Sequence, residues 1–166
     1  MNSSSEITNS GAIANHTGNQ LELFLENALK SHGYVEFWNH KTQAFENRKA
    51  IGGKQYLKQV PCGNTIYQTP RHVDFLIINR EKFQNDLIIE CKWQQSKGTV
   101  YEKFPYLVYN IIKTGVPTIV LLDGGGYPKH AEKWLKDQVD QEMHRALIGV
   151  WSMAEFQAKI NKGFLG

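Results

Sequence analysis

Two runs of this chain are too apolar for exposed strands and yet carry charge. In 71–78, Val73, Phe75, Leu76, Ile77 and Ile78 surround Asp74; in 86–93, Leu87, Ile88 and Ile89 lead into Glu90, Cys91, Lys92 and Trp93. Both predict strands buried on both faces. Upstream, Leu21, Leu23, Phe24, Leu25, Ala28 and Leu29 recur at helical spacing, and His32-Gly33 predicts a left-handed stop. Residues 34–38 are aromatic and β-prone, 56–60 read as a strand, and Pro61, Cys62, Gly63 and Asn64 predict a turn into 65–67. After a loop at 94–98, Thr99 and Glu102 have capping-box spacing. The helix they open buries Val100, Phe104, Leu107, Val108, Ile111 and Ile112, with Pro105 as a kink or as its true first turn. A strand at 116–122, a helix at 128–139, a strand at 146–151 and a helix opened by a Ser152–Glu155 capping box complete the order. The strand at 116–122 follows the charged strands through a helix, which predicts a parallel crossover. The fold class is α/β, a mixed central sheet flanked by helices on both faces.

Composition narrows this picture. The chain has 166 residues, 41% of them hydrophobic, which suits one domain with a sizeable core. Residues 1–17 are rich in Ser, Asn, Thr and Gly and predict a mobile tail, leaving 18–166 as the domain. No run has the length and apolarity of a membrane span or a signal peptide, and Cys62 and Cys91 have neither zinc-site nor disulfide-framework spacing. A cytoplasmic protein with reduced thiols is expected. The net charge is only +3, but Lys41, Arg48, Lys49, Lys54, Lys58 and Arg71 face a single acid, Glu46, between positions 41 and 71. Such a segment is either a solvated basic loop or a polyanion contact.

Strand alternation puts Glu90 and Lys92 on one face and Leu87, Ile89 and Cys91 on the other. An acid and an amine within an apolar run are costly to bury unless paired or bound. With Asp74 from the neighbouring strand, two carboxylates and an ammonium can converge. Two hard oxygen ligands suit Mg²⁺ with most of its waters retained, and a lysine can orient one of those waters toward phosphorus. The alternative is an ordinary strand-face ion pair. Other motifs fail: Gly124, Gly125 and Gly126 follow a strand, but Lys129 breaks the dinucleotide fingerprint, and a tight connection explains the glycines. The histidines lack metal-ligand spacing, and His72 reads as structural.

The pattern Asp74…Glu90-Cys91-Lys92 resembles the PD-(D/E)XK nuclease superfamily, whose αβββαβ core the span 21–123 would supply in order. The resemblance implies that Asp74 and Glu90 are acidic metal ligands, Lys92 the catalytic lysine and the Cys91 carbonyl a further ligand. Val73 stands where the family carries Pro. Gly18-Asn19-Gln20-Leu21-Glu22 resembles the first-helix segment that supplies a glutamate through a metal-bound water, so Glu22 is implied, with Glu26 in reserve. Gln94 is implied near the scissile phosphate, and Lys103 is either a further positive charge there or a solvated residue. The strings 90–94, 98–106 and 123–126 are similar to small type II restriction endonucleases.

The expected function is therefore a Mg²⁺-dependent endodeoxyribonuclease using one or two ions per site and cutting double-stranded DNA, in the manner of a restriction enzyme. Lys41, Arg48, Lys49, Lys54, Lys58, Gln59 and Arg71 are the expected DNA contacts, with Asn47 and Gln55 also suited to base edges. The alternatives are a structure-selective nuclease of resolvase or repair type, or a DNA-binding module on the nuclease fold. One Asp74–Glu90–Lys92 set cuts one strand, so a duplex break implies a homodimer, at least on DNA. The recognition sequence and any companion methyltransferase are not legible.

Overall fold

A computed structural model describes residues 20–37, 47–139 and 141–166. The expected tail at 1–17, together with Trp38 and Lys41, lies outside them. Helix α1 covers 20–31 and stops at Gly33, whose φ of 81° is the left-handed conformation that glycine accepts without strain. A short strand β1 (Val35–Glu36) leads to β2 (Gln55–Asn64), β3 (Pro70–Ile78) and β4 (Leu87–Trp93). Then come α2 (Phe104–Thr114), β5 (Thr118–Asp123), α3 (Lys129–Asp137), β6 (Leu147–Trp151) and α4 (Met153–Ile160). The six strands lie side by side in chain order. β1–β2, β4–β5 and β5–β6 are parallel, whereas β2–β3 and β3–β4 are antiparallel. The sheet is mixed, with the predicted helical crossover before β5.

One face is covered by α1 and α4: Leu21, Leu25 and Leu29 pack with Phe75, Ile77, Leu87, Ile89, Phe156 and Ile160. The other carries α2 and α3, where Phe104, Val108, Ile111 and Leu135 pack on Val120, Leu122 and Val150. Each fully buried Leu or Ile contributes roughly 1.5–3 kcal/mol, so β3 to β5 are anchored from both sides. No helix among the described residues is long and apolar enough to cross a membrane.

Several boundaries differ from expectation. β2 continues through Pro61 to Asn64 instead of turning there. Among the described residues its outer neighbour β1 pairs at Gln55 and Tyr56, and the β2–β3 register shifts between Pro61 and Asn64, an irregularity that tolerates a residue without an amide. The turn falls at 65–69, where Thr65 accepts from the amides of Tyr67 and Thr69. Thr99 caps nothing with its side chain; 100–103 form a 3₁₀ turn, Val100 is exposed, and Pro105 sits in the first turn of α2. The Ser152–Glu155 capping box forms as predicted.

Glu26 ties α1 to the sheet edge, accepting from Lys30 at 2.6 Å, Lys58 at 2.7 Å and the Tyr56 hydroxyl at 3.2 Å. The bonds from Lys30 and Lys58 hold its carboxyl down at about 2. A depressed carboxyl stabilises the fold fully above its ordinary value near 4.5 and loses that contribution as pH falls toward 2. Glu26→Gln is accordingly expected to narrow the acid dependence of stability: the gap to the parent protein is constant at neutral pH and closes below the ordinary value. Urea unfolding across that pH range measures it, and a gap independent of pH would contradict the assignment.

Candidate active site

The β3–β4 ladder pairs Phe75 with Ile89, Leu76 with Ile88 and Ile77 with Leu87. One residue further on, the Asp74 carboxylate intrudes: its Oδ2 accepts from the Cys91 amide at 2.7 Å. Across β2, Gln59 takes a φ of 48°, a left-handed conformation costly for a non-glycine residue. The regular alternation breaks at this point. Leu57 and Val60, and opposite them Val73 and Leu76, are three positions apart yet belong to one apolar cluster. This irregularity is what sets Asp74 among polar groups within an otherwise apolar strand.

Glu90, Lys92 and Asp74 come together as the sequence predicts. Lys92 Nζ donates to Glu90 Oε2 at 2.9 Å, to Asp74 Oδ2 at 3.1 Å and to the Cys91 carbonyl at 3.3 Å. Burial works to lower the Lys92 pKa, but the charges of Glu90 and Asp74 and the bonds to both win and raise it. Glu22, half-buried on α1, feels the same cluster. Burial and then the Asp74 charge raise its carboxyl, while Lys58 and Lys92 act in the opposite sense. The reserve candidate Glu26 is occupied by two lysines, so Glu22 is the better placed of the two.

Two expected site residues have other roles. Gln94 does not continue the strand face; β4 ends at Trp93, and Gln94 turns inward. Its Nε2 donates to the carbonyls of Ser96, Gly98 and Gly126. The glycine run is fitted around it: a Cβ on Gly124 would lie 2.4 Å from the Gln94 carbonyl oxygen, and one on Gly126 would lie 2.7 Å away. Gln94 therefore clamps the 94–98 loop instead of continuing the strand face of Glu90 and Lys92. Arg71 is buried, with Nη2 on Glu90 Oε1 at 2.8 Å and Nη1 on the Asn110 carbonyl at 2.9 Å and on Thr114 Oγ1. The guanidinium is thus committed to partners within the fold.

The basic segment is scattered for similar reasons. Arg48 pairs with Asp86 at 3.1 Å, and Lys49 lines the same cleft. Asp86 precedes Glu90 by four strand positions, roughly 13 Å. Lys54 donates to the carbonyls of His32 and Gly166 at 3.2 and 2.8 Å, and Gln55 opens β2 opposite Ile78. Of the expected DNA contacts that are described, Arg71, Lys58 and Gln59 lie near the acids, and Gln59 Nε2 donates to Asp74 Oδ1 at 3.2 Å. Sequence reasoning did not foresee Arg71 as the partner of Glu90. Its place on a strand beside Val73, instead of in the basic loop, was the available signal.

Oxygen donors dominate the candidate metal position. Lys92 already places a cation where Glu90 Oε2, Asp74 Oδ2 and the Cys91 carbonyl converge, so these three oxygens fit a hard divalent ion. Among the described residues, no group of three or more His, Cys, Asp or Glu side chains forms a metal cluster, so such an ion would keep several waters. Both thiols are free, and burial raises the pKa of each.

Beside the acids opens a cleft of about 290 Å³ that includes Glu90, Lys92, Arg71, His72 and Lys103. Lys103 and His72 both stand exposed in this lining. A family model described as a PD-(D/E)XK nuclease superfamily domain matches residues 13–164. No curated protein and no solved structure matches the chain.

Proposed function

Because the chain belongs to the PD-(D/E)XK nuclease superfamily, we propose that it is a Mg²⁺-dependent endodeoxyribonuclease centred on Asp74, Glu90 and Lys92. The observation that carries this reading is the convergence of Glu90 Oε2, Asp74 Oδ2 and the Cys91 carbonyl on one cation. Superfamily members typically use divalent ions. A bound Mg²⁺ would supply a water acidic enough to attack near neutral pH and would neutralise charge on the phosphoryl group. Asp74, Glu90 and the Cys91 carbonyl would hold it, with Glu22 reaching it through water. Lys92, released from the carboxylates, orients the attacking water and donates to the phosphoryl oxygen. Arg71 keeps Glu90 aimed through its second oxygen, and Gln59 fixes Asp74.

Two versions of this activity differ in what they read. A type II restriction enzyme needs a surface that meets base edges, and two of the basic residues described in 39–71, Arg48 and Lys54, are engaged away from the Asp74–Glu90–Lys92 cluster. That dispersal favours the structure-selective version, which reads shape through phosphates. A supercoiled plasmid with Mg²⁺ is expected to be cut, EDTA to stop cutting, and Ca²⁺ to support binding with little cleavage because its looser geometry does not orient the water. Discrete fragments would restore site-specific recognition, and linear product without nicked intermediate would reveal two copies acting together. Retention of DNA without any cutting in Mg²⁺ would replace the nuclease reading with a binding module.

A further inference from the structure

The cleft beside the acids is built for more than a phosphate. It joins Glu90 and Lys92 to a wall made by Val100, Phe104, Tyr106 and Leu107. A hydrated phosphodiester gains nothing from apolar and aromatic surface, and a bound ion gains less. A paired duplex presents phosphates, sugars and groove edges to a protein while its bases stay stacked inside. The flat group that could fill this wall next to a scissile phosphate is a base that has left the stack.

Two further features fit the same occupant. Tyr67, in the turn between β2 and β3, stacks on Tyr106 with centroids 5.3 Å apart and planes 19° apart, and the residue is 73% exposed. This extends the apolar wall outward as a second stacking surface. With Arg71 already paired to Glu90, the cleft also holds two further cations, Lys92 and the exposed Lys103. An uncharged apolar ligand would leave those charges unused, whereas a nucleic-acid strand satisfies both features. We propose that this cleft accepts one unpaired nucleobase of the strand being cut, so that the substrate is DNA with a single-stranded stretch at the scissile phosphate. The inference rests on Asp74, Glu90 and Lys92 being the cutting site.

The test compares one labelled oligonucleotide as a single strand, in a fully paired duplex and in a duplex with a central unpaired loop. Affinity is read in Ca²⁺ and cleavage in Mg²⁺. Single-stranded and looped DNA should be bound and cut roughly tenfold or more better than the paired duplex, as the loss or gain of one base stack implies. Leu107→Trp fills the cleft and should collapse that preference toward unity. Tyr67→Ala, at an exposed position where folding is not at risk, should reduce it. Equal handling of the three DNAs, with neither variant changing the ratios, overturns the proposal. Lys92→Ala separates this from the premise. If it abolishes cutting while preferences are equal, the active site stands and the base pocket falls. If no DNA is cut, a single-strand preference in Ca²⁺ that Leu107→Trp removes supports the pocket and ends the nuclease reading. Absence of that preference overturns the pocket too.

Discussion

Lys92→Ala is expected to slow DNA cleavage by about 10²–10³-fold or more, the scale of losing one donor that meets charge developing in the transition state. DNA affinity should stay largely intact, because phosphate contacts spread over the surface supply most of it. Metal binding distinguishes this from a general loss of the site. Lys92 competes for the oxygens of Asp74 and Glu90 that a metal would use. Removing it should leave Mg²⁺ affinity unchanged or stronger, whereas Asp74→Asn removes an anionic ligand and should weaken it while also stopping cleavage. Single-turnover cleavage and calorimetric Mg²⁺ titration of both variants check this pairing. Cleavage at the parent rate by either variant in saturating Mg²⁺ would remove the assigned site, and weaker Mg²⁺ binding by Lys92→Ala would remove the competition argument.

How much of this was legible in the sequence depended on whether local pattern or tertiary context decided the matter. The Asp74…Glu90-Cys91-Lys92 constellation was legible because charge inside an apolar run has few cheap explanations, and the runs themselves fixed β3 and β4. The order of helices and strands followed from periodicity, and the capping box at Ser152 from local hydrogen bonding. The reach of β2 was not legible, since Pro61 and Gly63 are turn residues by type, and only the irregular β2–β3 register between Pro61 and Asn64 lets the strand run through them. The left-handed Gln59, which interrupts the alternation opposite Asp74, leaves no mark in residue type. Gln94 was assigned to the strand face by extrapolating alternation one step past Trp93, where Gly124 and Gly126 instead draw the chain into a loop. The basic segment misled most. A run of charge records composition but not direction, and Arg48, Lys54 and Arg71 each found an acid or a carbonyl within the fold.

Arg71 offers the sharpest contrast between those two sources of information. A surface arginine touching DNA would be nearly neutral for stability when removed and would lower the salt slope of binding by about one per phosphate contact. The buried arginine seen here predicts the reverse. Arg71 and Glu90 are both almost wholly buried, and the guanidinium also bonds the Asn110 carbonyl and Thr114 Oγ1 on α2. Arg71→Ala leaves the Glu90 carboxylate with Lys92 alone and takes the guanidinium away from its two acceptors on α2, so a loss of roughly 3–5 kcal/mol of folding stability is expected. Arg71→Lys should recover little of it, because one ammonium cannot reproduce a planar fork that reaches Glu90 and α2 together. Cleavage should fall in both variants as Glu90 loses the contact that aims it. Urea unfolding measures the first effect, and DNA binding across a salt series measures the second. Full stability with a salt slope reduced by one would return Arg71 to the DNA interface; a large loss of stability with an unchanged slope would fix it as the residue that holds Glu90 in place.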